Sequence, residues 1–381
     1  MPSGVGASTL VNDPPVSGVQ FVVDPAAFFD MTERNVYTAR RLTSPGSGGS
    51  LNDDLPQAGV LAHLQIIFEG QLSTTLGGGT ITTSNNFPYG LLDEFVLSVN
   101  AQNDVYSIRG TALHAFDRLR AANGFFGNDT LDVFPSSTVG VGGVVPDGAS
   151  QDLVLTWDIP ISIDPTSLVG AIYAQSSGIN LQVRIREAVH TDLMVLAGGA
   201  VIDSLTGVFT IRVTSFDVPV SGGEQPMLVV PDTSRLHAVQ GLRTAFSSSG
   251  EIPHDLVRGN GQLDRLVFTI ADRNPAGTVT DSVMLADADA NELESVRIEY
   301  GNAQRPLVYD PAHGLAQDNL RAYGQRLPYG FLAFDFLLEN APRDIIQMAG
   351  VTDLRLIPTL NSGVSVAAGA ETYAVQEMLI A

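Results

Sequence analysis

The sequence predicts an all-β protein built as two tandem eight-stranded jelly rolls, each with one short helix between strands. Three observations predict it. Short segments rich in Val, Ile, Thr and Phe recur along the chain, separated by turn-forming residues drawn from 38 Gly and 21 Pro. Only two segments carry a convincing helical period, Thr111 to Ala122 and Ala312 to Tyr323, and they occupy equivalent places in the two halves. The third observation is a pattern written twice. Asp117-Arg118-Leu119-Arg120-Ala121 ends the first helix, and Asp318-Asn319-Leu320-Arg321-Ala322 lies in the second. Trp157-Asp158 and Phe334-Asp335 follow them, each with a proline seven positions after the Asp (Pro165 and Pro342). The strand-like Asn180-Leu181-Gln182-Val183-Arg184 and Asp353-Leu354-Arg355-Leu356 come next. Duplication of one β module accounts for all of these, with a longer insertion between helix and strand in the first half.

In chain order, residues 1–54 read as an N-terminal arm and linker, because Pro14-Pro15, Pro25 and the Gly/Ser-rich run Ser44 to Ser50 break any long element. Within it, Glu33 to Arg41 suits a short helix. Residues 55–220 form the first jelly roll. Its strands are expected at Leu61–Phe68, Phe95–Val99, Leu153–Ile161, Leu181–Ile185 and Val208–Val218, with Pro160 marking an edge or a bulge. A junction falls near Pro219-Val220-Ser221-Gly222-Gly223. Residues 221–381 form the second jelly roll, with strands at Leu236–Phe246, Leu263–Ile270, Val296–Tyr300, Phe331–Leu338, Leu354–Leu360 and Tyr373–Ile380. A parallel βαβ plan would need a helix after nearly every strand, so antiparallel Greek-key sandwiches remain.

Composition narrows the function. A chain of 381 residues, 44% hydrophobic and 16% charged, has room for two folded cores. No apolar run approaches bilayer-spanning length, and no secretory signal is visible at the start. With no cysteine, disulfides, thiolate metal sites and thiol catalysis are excluded. Net charge is −21, and all 20 basic residues are Arg. That surface repels phosphate backbones, so direct nucleic-acid binding is not expected. It suits a GC-rich genome or a high-salt habitat equally well.

No phosphate-cradling GxxxxGK[ST], HExxH or GxSxG motif is present. The Gly140-Val141-Gly142-Gly143 run precedes no helix signal and reads as a loop. His63, His114, His190, His237, His254 and His313 are scattered, and His254-Asp255 points to opposite faces of a strand. Asp287, Asp289, Asn291 and Glu294 are weak candidates for a structural divalent ion such as calcium, but Glu292 and Ile298 depart from the EF-hand pattern. No cofactor is expected otherwise. Asp158 and Asp335 read as structural carboxylates, bonded to backbone N–H groups or to an Arg at a strand crossing. A single Trp leaves a carbohydrate cleft short of aromatic platforms.

On the paired helix ends, the aromatic-Asp strands and the C-terminal run Pro328 to Phe336, the chain resembles the double-jelly-roll major capsid proteins of tailless icosahedral double-stranded DNA viruses. The resemblance covers roughly residues 55 to 381. It implies a non-catalytic protein located in the virion and made in the host cytoplasm. It implies homotrimers that act as pseudo-hexagonal capsomers, with penton and minor capsid proteins as further partners. Contact with an internal membrane through the arm is also implied. The alternatives are a viral spike or attachment protein, another self-assembling β-sandwich, and a β-sandwich carbohydrate-active enzyme.

Overall fold

The computed structural model describes residues 21–83, 87–100, 103–122, 145, 150–163, 167–176, 178–220, 227–272, 283–284, 292–301, 307–324, 327, 330–337, 345–364, 366 and 369–380. The chain enters through β1 (Phe21–Val23) and α1 (Pro25–Met31). Helix α1 starts where it does because the Asp24 carboxylate accepts the Ala27 N–H at 3.0 Å and Pro25 stands in the first turn. The first module follows as β2 (Arg34–Thr43), β3 (Ser50–Asp54), β4 (Val60–Thr75), β5 (Thr80–Thr83), β6 (Leu92–Val99) and β7 (Asn103–Ile108). Then come α2 (Gly110–Ala122), β8 (Gln151–Pro160), β9 (Ile172–Tyr173), β10 (Leu181–Glu187), α3 (His190–Leu193), β11 (Met194–Ala197) and β12 (Val201–Phe216). Sheet order β2-β12-β4-β8 faces order β3-β10-β6-β7, which is the eight-stranded jelly roll. Pro160 ends β8, an edge strand, where its missing N–H leaves no ladder bond unmade.

The second module repeats this wiring. It comprises β13 (Leu228–Val230), β14 (Leu236–Ala245), β15 (Gly250–Glu251), β16 (His254–Asp255), β17 (Gly261–Asp272), β18 (Val283–Met284), β19 (Leu293–Tyr300) and β20 (Leu307–Tyr309). Helix α4 (His313–Tyr323), β21 (Phe331–Asp335), β22 (Ile346–Gln347), β23 (Leu354–Leu360) and β24 (Glu371–Ile380) complete it. One sheet runs β14-β24-β17-β21; the other runs β15-β23-β19-β20, with β16 extending β15's edge on β23. Strand by strand, β2 matches β14, β12 matches β24, β4 matches β17 and β8 matches β21. Helices α2 and α4 match as well, each lying between the same two strands. Gly324 ends α4 in the left-handed region at φ 65°, a conformation glycine adopts without a Cβ penalty.

The structure differs from the sequence reading most in residues 34–54. That stretch holds two jelly-roll strands, residues 34–43 and 50–54, rather than arm and linker. The expected helix over Glu33–Arg41 is strand β2, which pairs with β12 from Arg34↔Phe216 to Thr43↔Val208. Tyr37, Ala39 and Leu42 pack on the core from this strand, and that burial outweighs helix propensity. Strand β3 pairs with β10 in the same way. Ser221-Gly222-Gly223 of the expected junction lies outside the described residues; Val229 N–H bonds Pro219 C=O at its near end.

One apolar cluster runs through both modules, from Leu64, Phe68 and Trp157 to Phe268, Phe334 and Val375. The modules join where β7 pairs in parallel with β14 (Val239↔Tyr106, Gln240↔Ser107), merging two sheets into one of ten strands. This joint leaves an imprint on burial. Residues Thr372–Leu379 of β24 and Leu263–Ala271 of β17 are buried without alternation. Their counterparts β12 and β4 alternate over most of their length, as strands covered on one face do.

Candidate functional site: the joint between the modules

Helix α2 is set against its own module by a close approach at its start. A Cβ on Gly110 would stand 2.7 Å from Trp157 Nε1, so only glycine lets the helix begin there. The opposite side of α2 meets the second module, and there Arg120 Nη2 donates to Glu377 Oε1 on β24 at 2.9 Å. Glu377 is the hub of a buried ionic network. Its other oxygen accepts Arg265 Nη1 at 2.9 Å, and His237 Nε2 lies 3.0 Å from Oε1. Arg265 turns its Nε to Asp335 Oδ2 at 3.0 Å; Tyr323 OH donates to that oxygen at 2.8 Å and Leu337 N–H to Oδ1 at 2.8 Å. From the first module, Tyr106 OH donates to the Pro160 carbonyl and lies 2.7 Å from His237 Nδ1.

The electrostatics follow from this geometry. Burial alone would raise the Glu377 carboxyl, but Arg265, Arg120 and the His237 bond hold it well below the usual carboxylate range. Burial works against the Arg265 charge, yet Glu377 and Asp335 raise its pKa above the ordinary arginine range. Burial raises Asp264 to about 7, with the Glu377 charge adding to the effect. Asp117 is raised well above its ordinary value by burial and then by the charge of Asp158. Tyr106 is raised by burial. The network therefore holds ionised Glu377 and Arg265 at its centre and carboxyls drawn toward the neutral form at its margins.

The predicted positions fall around this joint unevenly. Trp157 and Phe334 are both core residues, one in β8 and one in β21, and Phe334 stacks on Phe268 at 5.9 Å. Asp335 sits opposite Arg265 on β17, and Asp158 sits opposite Gln65 on β4, bonded to its amide at 3.0 Å. His63 Nε2 lies 3.4 Å from Asp158. The pair Asp117 and Asp318 is matched in sequence but not in surroundings. Asp117 is buried and accepts the Asp158 backbone N–H, whereas Asp318 is exposed and pairs with Arg321 at 3.6 Å. In the second module the buried role falls to Asn319, which bonds both the N–H and the C=O of Ala333, at 2.9 and 2.7 Å. Pro165, Pro342, Asp287, Asp289 and Asn291 lie outside the described residues, as does Gly140–Gly143. Glu294 is exposed on β19.

Sequence reasoning missed the hub. Gln376-Glu377 inside the apolar run Tyr373 to Leu379 was its signal, since two polar residues in a buried strand demand partners. Gln376 takes its own at Val257, using both amide atoms to bond the backbone. His254 is buried and bonds no partner with either ring nitrogen, and burial lowers its pKa to about 4. His114 is likewise lowered to about 3 by burial and stacks on Tyr89 at 3.7 Å. Among the described residues, Ser44, Glu187 and His190 form a hydrogen-bonded Ser-carboxylate-His group. There the carboxylate stands between the other two, so the imidazole is not the group that meets the Ser44 hydroxyl.

No family model and no curated protein sequence matches the chain. Solved structures do. The major capsid protein of STIV, Sulfolobus Turreted Icosahedral Virus, aligns with a TM-score of 0.65 at 15% identity, over 91% of this chain and 97% of its own. The PBCV-1 virus capsid aligns at 0.57 and 12% identity, over 92% and 95%. The Faustovirus major capsid protein aligns at 0.56 and 8% identity, over 92% and 90%. The fold is the double jelly roll of viral major capsid proteins. At these identities the likeness is one of fold, spanning both modules of each double jelly roll.

Proposed function

We propose that this chain is a major capsid protein: a non-catalytic subunit that forms homotrimers, presents six modules as a pseudo-hexagonal capsomer and tiles an icosahedral shell. The observation that carries this reading is the duplicated jelly roll whose two halves are fixed to one another by a buried ionic joint. A rigid two-module unit is what a six-sided trimeric tile requires, and solved capsid proteins share the fold along nearly the whole chain. The absence of cysteine and the −21 charge fit a subunit stabilised by packing and assembly, in which neighbouring copies repel at low ionic strength. Penton and minor capsid proteins are its expected partners in the virion, and the N-terminal arm is the part expected to contact an internal membrane. A divalent ion at Asp287, Asp289, Asn291 and Glu294 would belong to the same salt-dependent association.

Native mass by light scattering at low and high salt tests the reading. A species of three times 40.3 kDa, with larger shells appearing as salt rises, is the expected result. A monomer at every salt and protein concentration would contradict it.

A further inference from the structure

A cavity of about 380 Å³ opens at the joint, beside the first turn of α2. Three guanidinium groups line it: Arg109 just before α2, Arg186 on β10 and Arg243 on β14 of the second module. So do three carboxylates, Asp93, Glu187 and Asp192, an even balance in a chain with 41 acidic and 20 basic residues. Two of those carboxylates are already bonded. Arg186 holds Asp93 Oδ2 with Nε and Nη2, both at 2.7 Å, and Glu187 accepts Ser44 Oγ and meets His190 Nε2. Asp192 is exposed. The groups left without partners are donors. Arg109 Nε and Arg243 Nη2 stop 4.0 and 3.9 Å from Asp93 Oδ1, beyond hydrogen-bonding reach. Arg109 Nη1 bonds Glu371 at 2.5 Å, but its Nε and Nη2 are buried without an acceptor among the described residues. Tyr373 holds both cations in place. The Arg109 and Arg243 guanidinium carbons lie 4.7 and 5.9 Å from its ring centroid, and its OH accepts the Arg109 backbone N–H at 2.9 Å.

We infer that this cavity binds a small organic anion, a phosphate or carboxylate group carried on a compact apolar body, and that Arg109 and Arg243 take its oxygens. A buried N–H without an acceptor costs free energy, and a charged acceptor makes the stronger kind of hydrogen bond. Burial, and then the Arg109 charge, lower the Arg243 pKa, so the two cations repel and an anion between them relieves both. Thr111 places the N-terminal end of α2 on the same wall, where the helix dipole adds positive potential. The apolar part of the ligand follows from the rest of the lining. Leu92, Val189 and Leu193 contribute to it, and Val189 is 45% exposed. The volume is larger than a bare oxyanion needs and falls in the range of small-molecule sites, about 300–1,000 Å³. The site is complete within one chain, so it goes beyond the capsomer reading and stands or falls separately from it.

Titration calorimetry with phenyl phosphate, benzoate and inorganic phosphate tests this, with ionic strength held constant by sodium chloride and circular dichroism confirming the fold of each variant. Phenyl phosphate or benzoate is expected to bind at one site per chain, and the tighter of the two names the head group. Inorganic phosphate is expected to bind about tenfold or more weakly than phenyl phosphate, because it leaves the apolar wall unused. Arg243→Gln should weaken binding about tenfold or more by removing a charged donor. Asp93→Asn should tighten it, since it removes the carboxylate that competes for the same guanidinium groups. A parent chain that binds neither phenyl phosphate nor benzoate would overturn the inference. Binding that both Arg243→Gln and Asp93→Asn leave unchanged would overturn it too, by putting the anion elsewhere on the chain.

Discussion

Helices α2 and α4 hold the same station in two copies of one fold, yet their surroundings differ. Helix α2 is buried on nearly every side: Ala112, Leu113, Ala115, Phe116, Asp117, Leu119 and Arg120 are all inaccessible. Helix α4 buries one stripe and leaves Asp318 and Arg321 to solvent. The same contrast separates β24 from β12 and β17 from β4. A duplicated element is thus specified twice over, once by the module that folds it and once by what covers its outer side. Module folding is common to both copies. The outer cover differs, and the charges differ with it: Glu377 where the cover supplies Arg120, and the exposed Arg212 at the matching ladder position of β12.

That contrast can be broken by substitution. The largest effect is expected from Glu377→Gln, which leaves Arg120 and Arg265 facing each other without their shared carboxylate. Removing one partner from a buried ionic group costs about 3–5 kcal/mol, measured by urea denaturation. Asn319→Ala should cost about 2 kcal/mol by the same measurement, because it strips both backbone bonds to Ala333 in a buried site. A smaller, pH-dependent effect is expected at Asp264. Its folded pKa of about 7 is raised above its unfolded value, so the folded state binds a proton that the unfolded state gives up. The stability this contributes is complete below the unfolded pKa and is lost as pH rises through about 7. Asp264→Asn should therefore gain on the parent between pH 5 and pH 8, and a constant difference across that range would contradict the assignment. The smallest effect belongs to Arg321→Ala in the dissociated chain. An exposed pair with Asp318 is worth about 0.5 kcal/mol or less, so urea midpoints of variant and parent should nearly coincide.

Much of the fold was legible because both periods are local. The helix positions, the strand Leu354–Leu360 and the aromatic-Asp pairs on β8 and β21 follow from side chains a few residues apart. Strand β2 was not legible, since Pro, Gly and Ser surround it and its burial is conferred by β12, far along the chain. The joint was legible only in part. Glu377 announces itself as a charge in an apolar strand, but Arg120 reaches it from 257 positions away and Arg265 from 112. Asp117 and Asp318 show the limit of matching residues between repeats. The repeat pattern pairs them, yet one is buried and the other exposed, and in the second module the buried bond is made one residue along, at Asn319.

Hydrogen–deuterium exchange of α4 against α2 in the free chain tests most directly that α4 lacks the cover α2 already has. Exchange in α2 should be slow, while α4 and β20 should exchange faster. Exchange in α4 and β20 as slow as in α2 would contradict the account.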